Sequence, residues 1–222
     1  MKAPIIVLEG LDACGKTTQS EILKANLVAQ NISVGFKRFP CYDTMPGKKI
    51  AAYLRGEYGH FEDLDPKIIT SLYAADRLMQ IEEIETLRQK NDVVIFDRSV
   101  CANLIFTPAY AKTKTEKKDL LNFIKTLEYK INGFPRESLI IFLDASPEAR
   151  KKIHNAKSRI ADIHEINENY LTNVRENALN FCKKDFRWTR IKVDNNGNLR
   201  KKEAIAKDIL HLVLERLQKK KN

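Results

Sequence analysis

The sequence predicts an α/β fold in which helices cover a parallel β-sheet, giving a three-layer sandwich. Two observations predict it. Short apolar runs alternate with stretches of helical periodicity, the pattern of successive βαβ units. A glycine-rich segment at residues 10–17 joins the first apolar run to the first helical stretch. The 222 residues, 43% of them hydrophobic, are enough for one well-packed domain, and we expect residues 1–222 to form it.

Five apolar runs are the predicted strands. Residues 4–9 form a short run of mostly apolar and β-branched side chains that stops at Gly10, which is typical of a fully buried strand. Residues 32–38 return to strand composition, residues 93–96 and 139–143 are short runs typical of buried strands, and residues 191–193 form a weaker run. Helix-like stretches separate the runs, so the strands should be parallel.

Two helices are predicted between these strands. Residues 19–30 place Ile22, Leu23 and Leu27 on one face of a helix. Asp65 followed by Pro66 is typical of a helix start, with an N-cap and a proline in the first turn. The pattern after it predicts one long helix that continues to about residue 90.

Composition narrows the class of protein. The formal charge of +10 fits nucleic acid, an anionic membrane surface or small polyanions such as nucleotides, and charge alone does not choose among them. No window approaches the roughly 20 apolar residues of a membrane span, and the first residues do not form a secretion signal. The cysteines form no Cys-x-x-Cys pair and the histidines have no metal-ligand spacing. We therefore expect a cytoplasmic protein without disulfides or a zinc site.

Residues 10–17, GLDACGKT, match the pattern G-x-x-x-x-G-K-[ST] of a phosphate-binding loop, the P-loop. The glycines let backbone N–H groups turn toward the phosphates of ATP, and the following helix adds its positive dipole. Lys16 should reach the β and γ oxygens, and Thr17 should ligate Mg²⁺. The predicted ATP contacts are Gly10, Ala13, Cys14, Gly15, Lys16, Thr17 and Thr18. We interpret Cys14 as a small loop residue, not a nucleophile; the alternative for the whole loop is a strand-to-helix turn without nucleotide.

The strand predicted at residues 93–96 ends in Asp97 and Arg98, so a carboxylate and a guanidinium emerge where open α/β sheets bind ligands. Asp97 is placed like a Walker-B acid, which holds the Mg²⁺ shell through water. Arg98 is suited to a forked contact with an acceptor phosphate. A surface ion pair at a strand end is the alternative. The P-loop in the same chain favours the functional interpretation and a fold of the P-loop NTPase type.

At this point the chain resembles the thymidylate kinase family, and the likeness extends over nearly its whole length. Residues 10–12, Arg38-Phe39-Pro40, Gly47 with Tyr53-Leu54, residues 72–77 and residues 96–98 follow the family's order and approximate spacing. The resemblance implies transfer of the γ-phosphate of Mg²⁺-ATP to thymidine monophosphate. It also implies a homodimer and a mobile lid at about residues 150–162.

The resemblance assigns roles to single residues. Asp12 is similar to the loop carboxylate that meets the acceptor sugar, and Arg38 and Arg98 are similar to the pair that clamps the acceptor phosphate. Two arginines suit this task because they neutralise a dianionic phosphate and hold it in line with the transferring group. Asp97 is expected to contact the acceptor substrate as well as Mg²⁺. By resemblance the catalytic set is Asp12, Lys16, Arg98 and the lid residue Arg159.

The base and the sugar have further candidates. Phe39 resembles the family's aromatic residue beside the base, and Tyr73 stands where a ring stacks on thymine. Arg77 would donate to a thymine carbonyl. Phe106 falls where an aromatic side chain crowds the 2′ position and favours deoxyribose. Phe39 and Phe106 are alternatively core residues, and Tyr73 and Arg77 a pair on a helix surface.

The chain departs from the family pattern at several positions. Ala13 occupies a loop position where some members carry arginine, so the lid would have to supply that charge. The candidates are Arg150, Lys151, Lys157 and Arg159, with Arg150 also expected to bind ATP. A charge on a lid acts after closure, together with exclusion of water; a solvated basic face is the alternative. Ser99 and the pair Ala102-Asn103 also differ, so contacts near the sugar and base should differ in detail.

Two other functions share part of this pattern. A related deoxynucleotide or deoxynucleoside kinase would share the P-loop but differ in its acceptor. A nucleotide-dependent nucleic-acid-binding protein would need a basic stripe with interleaved aromatic residues or a known binding module, and the sequence has neither. The predicted partners are therefore ATP, thymidine monophosphate and a second copy of the chain, without nucleic acid or membrane.

Overall fold

A computed structural model of the chain describes residues 2–59, 63–157 and 167–219. Its centre is a five-stranded, fully parallel sheet in the order β2-β3-β1-β4-β5. The strands are β1 Ile5–Glu9, β2 Val34–Arg38, β3 Val93–Asp97, β4 Leu139–Asp144 and β5 Trp188–Lys192. All five predicted strands and their parallel arrangement are confirmed. The last strand begins three residues before the predicted run, because Trp188 pairs with Ile140 and is buried.

Both faces of the central strands β1, β3 and β4 are buried, which explains their apolar runs, whereas the edge strands β2 and β5 are only partly buried. Alternate residues of each central strand enter two separate cores: Val7 joins one with Phe96, and Leu8 joins the other with Ile95. Helices α5 Val100–Phe106 and α8 Glu168–Lys184 cover the first face, and helices α1 Lys16–Val28 and α9 Lys202–Gln218 cover the second. The predicted three-layer sandwich is confirmed.

The remaining helices and a small hairpin surround this sandwich. They are α2 Met45–Leu54, α3 Pro66–Leu78, α4 Ile81–Lys90, α6 Lys114–Lys125 and α7 Pro147–Lys157, with a two-stranded antiparallel hairpin of β6 Asp194–Asn195 and β7 Asn198–Leu199. None of the helices in the described part of the chain is long and apolar enough to cross a membrane.

The single long helix predicted after residue 65 is wrong in one respect. Its start is confirmed, because the Asp65 side chain accepts a hydrogen bond from the Lys67 N–H at 2.7 Å and Pro66 opens the helix. The helix ends at Leu78, however, and a second one begins at Ile81. The break lets α4 turn back to the sheet, where Ile84 is fully buried in the core.

Strand order brings the functional segments together. The chain runs from β1 to the edge strand β2, returns to β3 beside β1, and then crosses to β4 on the other side of β1. Leu8 is therefore paired with Asp97, and the loops after β1 and β3 leave the same edge of the sheet side by side. Open α/β sheets bind ligands at such a reversal of strand order.

The loop between β2 and α2 is held by a close backbone approach at Gly47. A Cβ atom on this residue would lie 1.8 Å from the carbonyl oxygen of Cys41. The Thr44 hydroxyl accepts a hydrogen bond from the Gly47 N–H at 2.9 Å and donates to Asp76 at 2.6 Å. The loop is thus fixed against α2 and α3 by contacts that leave no room for a side chain.

We expect Gly47→Ala to lower the free energy of unfolding by about 1–3 kcal/mol, because the clash is with backbone and the loop must move. Urea denaturation followed by circular dichroism measures the change. Lys49→Ala, at an exposed position of the same helix, is the control and should leave the midpoint nearly unchanged. A Gly47→Ala midpoint equal to the parent's would contradict the close packing described here.

Candidate active site

The P-loop is shaped by two glycines. Gly15 is the N-cap of α1 and has a φ of 90°, in the left-handed region that glycine adopts without a steric penalty. At Gly10, a Cβ atom would lie 2.7 Å from the Leu143 carbonyl oxygen, so the loop runs close against β4. Lys16 folds back over the loop, and its Nζ donates to the carbonyl oxygens of Gly10 and Leu11, both at 2.9 Å. The loop therefore presents a backbone cradle with one lysine above it.

Cys14 packs inside this loop. Its thiol is buried, and burial raises the pKa of Cys14 even though Lys16 and Arg98 act to lower it. A thiol in that state is a poor nucleophile. The geometry agrees with the interpretation of Cys14 as a small loop residue.

Asp97 joins the P-loop to the next strand. Its Oδ2 accepts from the Thr17 hydroxyl at 3.2 Å and from Arg38 Nε at 3.0 Å, and the residue is only 4% exposed. A hydroxyl and a carboxylate provide hard oxygen ligands, the kind that Mg²⁺ prefers. In the described ranges no cluster of three or more His, Cys, Asp or Glu could hold a metal by itself. That is compatible with Mg²⁺, which is bound through one or two protein groups together with nucleotide phosphates.

Arg98 lies between two carboxylates. Its Nη1 donates to Glu9 Oε1 and its Nη2 to Asp12 Oδ1, each at 2.8 Å. Burial opposes the charge, but Asp12, Glu9 and Asp97 outweigh it and raise the pKa of Arg98 well above its usual range. Arg98 also has a φ of 67°, an unfavourable conformation for this residue type that the two ion pairs help to hold. The arginine is fixed and permanently charged at the mouth of the site.

Sequence reasoning missed Glu9. It is fully buried at the last position of β1, where it accepts from the Gly10 N–H at 2.9 Å as well as from Arg98. A single acidic residue at the end of an otherwise apolar strand was the available signal. A charge in that place requires a partner, and the partner is the arginine at the end of β3.

A cavity of about 180 Å³ adjoins the P-loop. Asp12 and Arg98 stand at one side of it, and Tyr73 and Phe106 line its wall as expected of residues near a base and a sugar. The Arg98 guanidinium lies 5.3 Å from the centre of the Phe106 ring. The sequence did not single out the other wall residues as ligand contacts, which include Tyr42, Tyr53, Thr70, Asn103, Tyr110 and Tyr170. We refer to this cavity as the acceptor pocket.

Two predicted substrate contacts do not fit their positions. Phe39 is 3% exposed and packs edge-on against Phe96 and Phe134 in the core, so the alternative of a core residue is correct. Arg77 does not line the acceptor pocket, and its side chain is 2% exposed. It is taken up by Glu128, with Nε at 3.1 Å from Oε1, and by the Ser99 carbonyl oxygen at 3.4 Å from Nη1. A buried arginine requires such a carboxylate, and no sequence pattern pointed to Glu128 as its partner.

Asn103 stands in the pocket wall where Arg77 was expected to act. Its Nδ2 lies 3.3 Å from Glu128 Oε1 and 3.3 Å from the Thr70 carbonyl oxygen. Both partners are acceptors, so they fix which end of the amide carries the nitrogen. These two contacts use the amide nitrogen of Asn103 and not its carbonyl oxygen.

The expected lid is only partly described. Arg150 lies on α7, and its Nη2 pairs with Glu168 Oε2 on α8 at 3.2 Å. Lys151 is exposed on the same helix. The side chain of Lys157 and the whole of Arg159 lie outside the described residues. The lid and its charges remain predictions.

Comparison with known proteins places this site in a family. The family model described as thymidylate kinase matches residues 8–204. A thymidylate kinase of Schizosaccharomyces pombe is 30% identical over 148 residues, which cover 64% of this chain and 61% of that protein. A probable thymidylate kinase of Methanococcus maripaludis is 34% identical over 157 residues, which cover 70% of this chain and 67% of that protein. The match thus spans about three fifths to two thirds of those relatives.

The fold has a counterpart among solved structures. Thymidylate kinase from Candida albicans superposes with a TM-score of 0.76 at 21% identity, over 97% of this chain and 94% of that one. At this identity the likeness concerns the fold alone. The family match covers most of the chain and includes the P-loop, Asp97-Arg98 and the walls of the acceptor pocket. The chain belongs to the thymidylate kinase family.

Proposed function

We propose that this chain is a nucleoside monophosphate kinase that transfers the γ-phosphate of ATP to thymidine monophosphate, giving ADP and thymidine diphosphate. One observation carries the proposal. Asp12 Oδ1 lies 3.5 Å from Lys16 Nζ on the P-loop and 2.8 Å from Arg98 Nη2 at the acceptor pocket. A single carboxylate oxygen therefore connects the donor cradle to the acceptor pocket, as direct transfer between two bound nucleotides requires.

On the donor side, the P-loop N–H groups and Lys16 would hold the phosphates of ATP, with Thr17 and Asp97 as the Mg²⁺ ligands. Bound Mg²⁺ supplies charge neutralisation between the β- and γ-phosphates. Lys16 exchanges its contacts with two loop carbonyls for phosphate oxygens, so the loop needs little rearrangement. The positive end of α1 adds to the stabilisation of charge.

On the acceptor side, Arg98 and Arg38 would clamp the monophosphate. Arg98 is held rigidly by Glu9 and Asp12, and Arg38 is held by Asp97, so both guanidiniums are positioned by carboxylates before substrate binds. Preorganised charges stabilise a transferring phosphoryl group without a reorganisation cost. Asp12, at the junction, is our candidate for the contact with the acceptor sugar.

We assign the base to Tyr73 and Asn103, replacing the donor role expected of Arg77. Thymine has an N3–H donor, which suits the carbonyl oxygen of Asn103, whereas cytosine presents an acceptor at N3. Tyr73 supplies the ring for stacking. Phe106 would crowd the 2′ position, because a ribose hydroxyl there would be desolvated against an apolar ring.

We also propose a homodimer and a cytosolic location. The dimer is supported by Ile68 and Met79, which are 63% and 60% exposed on and just after α3, at spacing that aligns them with Leu72 and Ala75. Such a stripe of apolar side chains favours a helix–helix interface. The location is supported by cysteines that are all free thiols among the described residues. The lid charges of Arg150 and Arg159 would complete the site on closure.

Removal of the P-loop lysine is the first test. Lys16→Ala should lower turnover by roughly 10²–10³-fold while the fold survives, because a charge aimed at the transferring phosphoryl group is lost. ADP formation with ATP, Mg²⁺ and thymidine monophosphate measures it. Lys24→Ala, at an exposed position of the same helix, is the matched control and should keep parental turnover. Near-normal turnover of a well-folded Lys16→Ala enzyme would rule out this loop as the catalytic cradle.

The acceptor assignment is tested by a panel of nucleoside monophosphates. The parent should prefer thymidine and deoxyuridine monophosphates over deoxycytidine monophosphate in kcat/KM. Asn103→Ala should narrow that preference by about 10-fold or more, since a mispaired polar group costs roughly 1–3 kcal/mol. The ratio is used because it is insensitive to a loss of folded enzyme.

Thr107→Val is the control for this experiment, because Thr107 also lines the acceptor pocket and its hydroxyl bonds to Thr70 at 2.8 Å. The Thr107→Val variant should have the same ratio of kcat/KM for the thymine and cytosine nucleotides as the parent. Equal use of the cytosine and thymine nucleotides by the parent would overturn the thymidylate assignment. An unchanged ratio in Asn103→Ala would remove Asn103 from base recognition but leave the kinase assignment intact.

The dimer is tested by sedimentation. Ile68→Asp should shift the protein from dimer to monomer at micromolar concentration, because it places a charge in an apolar interface. Phe186→Asp makes the same kind of change at a more exposed apolar side chain far along the chain, and it should leave the dimer in place. A monomeric parent would refute the proposed state, and a dimeric Ile68→Asp variant would refute the proposed face.

A further inference from the structure

A second and larger cavity lies on the far side of α5 from the acceptor pocket. Its volume is about 660 Å³, within the range of small-molecule sites. Leu104 of α5 lines it, while Asn103 and Phe106 of the same helix line the acceptor pocket. α6 and α8 both pack against α5 and supply the cavity's two sides. We call it the α6–α8 cavity, and nothing in the proposed kinase reaction uses it.

Charge is concentrated at this cavity. Lys117 and Lys125 face it from α6, two helical turns apart, and Lys184 faces it from the end of α8. None of the three forms an ion pair within the part of the chain that the structure describes. The one acid in the wall, Asp185, is already paired with Arg187 at 2.6 Å. With Arg187 included, four cations and one acid line the cavity and leave a net charge of about +3, which suits a polyanion.

The same cavity offers apolar and aromatic surface. Leu104 and Leu121 form an apolar side, and Phe181 stacks on Trp188 with ring centres 5.0 Å apart, which fixes its orientation. Phe186 is 83% exposed at the mouth. An exposed aromatic ring beside lysines is the combination that binds a base and its phosphates, through stacking and charge. A simple inorganic anion would leave this aromatic surface unused.

The cavity is connected to the acceptor pocket by hydrogen bonds. Asn177 in the cavity wall accepts a hydrogen bond from Lys117, and its Nδ2 donates to the Ile105 carbonyl oxygen at 2.9 Å. One residue further on, the Phe106 carbonyl oxygen accepts from the Tyr170 hydroxyl at 3.0 Å, and both of those residues line the acceptor pocket. A ligand phosphate that draws Lys117 away from Asn177 would disturb the backbone of α5 where it carries acceptor contacts.

We propose that the α6–α8 cavity is a second binding site for a nucleoside polyphosphate, and that its occupancy is coupled through α5 to the acceptor pocket. In this proposal three lysines bind the phosphates and Phe186 stacks on the base. Loss of the Lys117–Asn177 hydrogen bond on binding changes the contact between Asn177 and α5. Coupling of this kind requires that the ligand bind one arrangement of α5 more tightly than another.

The binding test uses equilibrium dialysis of the full chain with labelled ATP and, separately, labelled thymidine triphosphate, which carry a purine and a pyrimidine on the same triphosphate. At least one probe should bind the parent at a site other than the P-loop. The double variant Lys125→Glu/Lys184→Glu should lose that site and retain the P-loop site. Lys118→Glu/Lys207→Glu makes the same charge change at exposed positions outside the cavity and should retain both.

The stoichiometries separate this proposal from the proposed kinase function. If the P-loop failed to bind ATP, the parent would still bind one probe molecule, and the double variant would bind none. If the parent binds one molecule and the double variant binds it equally well, the second site does not exist. Equal loss in the control pair would show a general charge effect and would also overturn the site.

Two further measurements test the ligand class and the coupling. Phe186→Ala should weaken the second site about fivefold or more, and inorganic tripolyphosphate should compete poorly; unchanged affinity with effective competition would show a site for the anion alone. Occupancy of the site should change the KM for thymidine monophosphate about threefold or more in the parent but not in the double variant. The basal turnover of the double variant should equal the parent's, and a constant KM in the parent would overturn the coupling.

Discussion

The structure depends on the need to neutralise two carboxylates placed side by side at the ends of adjacent parallel strands. Glu9 is the last residue of β1 and Asp97 the last of β3, and their exposed fractions are only 0% and 4%. Buried carboxylates without partners would cost several kcal/mol each. Arg98 satisfies Glu9, and Arg38 with Thr17 satisfies Asp97. Arg98, one of the cations that stabilise this edge of the sheet, also lines the acceptor pocket.

Features of the fold that depend on neighbouring residues could be predicted from the sequence, and features that depend on contacts with distant parts of the chain could not. The P-loop was predictable because Gly10, Gly15 and Lys16 act within one turn between a strand and a helix, and the loop's shape follows from their local conformations. The central strands were predictable because both of their faces are buried, which leaves apolar runs. The break at residues 79–80 was not, since the sequence around it continues the helical pattern and the break serves the burial of Ile84 in a distant core.

The site residues divide in the same way. Asp97 and Arg98 were placed correctly because a strand end determines where they emerge. The predicted position of Arg77 in the pocket does not match the structure because Glu128, 51 residues later in the chain, supplies the carboxylate that a buried arginine requires. Tyr170 reaches the acceptor pocket from α8, 64 residues beyond the Phe106 carbonyl to which it donates. No local pattern encodes a contact of this kind.

Two of the residues that depart from the family pattern, Ser99 and Asn103, make hydrogen bonds to buried glutamates beneath α5. Ser99 donates to Glu137 at 2.8 Å, and the Tyr129 hydroxyl donates to the other oxygen of that carboxylate at 2.8 Å. Burial raises the pKa of Glu137, with the hydrogen bonds from Ser99 and Tyr129 opposing that shift. Ser99 thus has a structural role as one of the two hydroxyl donors to this buried carboxyl group.

Beside it, Glu128 is shared between Arg77 and Asn103. The pocket wall thus rests on a buried layer of two glutamates with their donors. Because Glu128 and the Thr70 carbonyl oxygen both accept from the Asn103 amide, the orientation of this amide in the pocket wall is determined by the protein itself, and the base recognition that we propose for Asn103 depends on these two contacts.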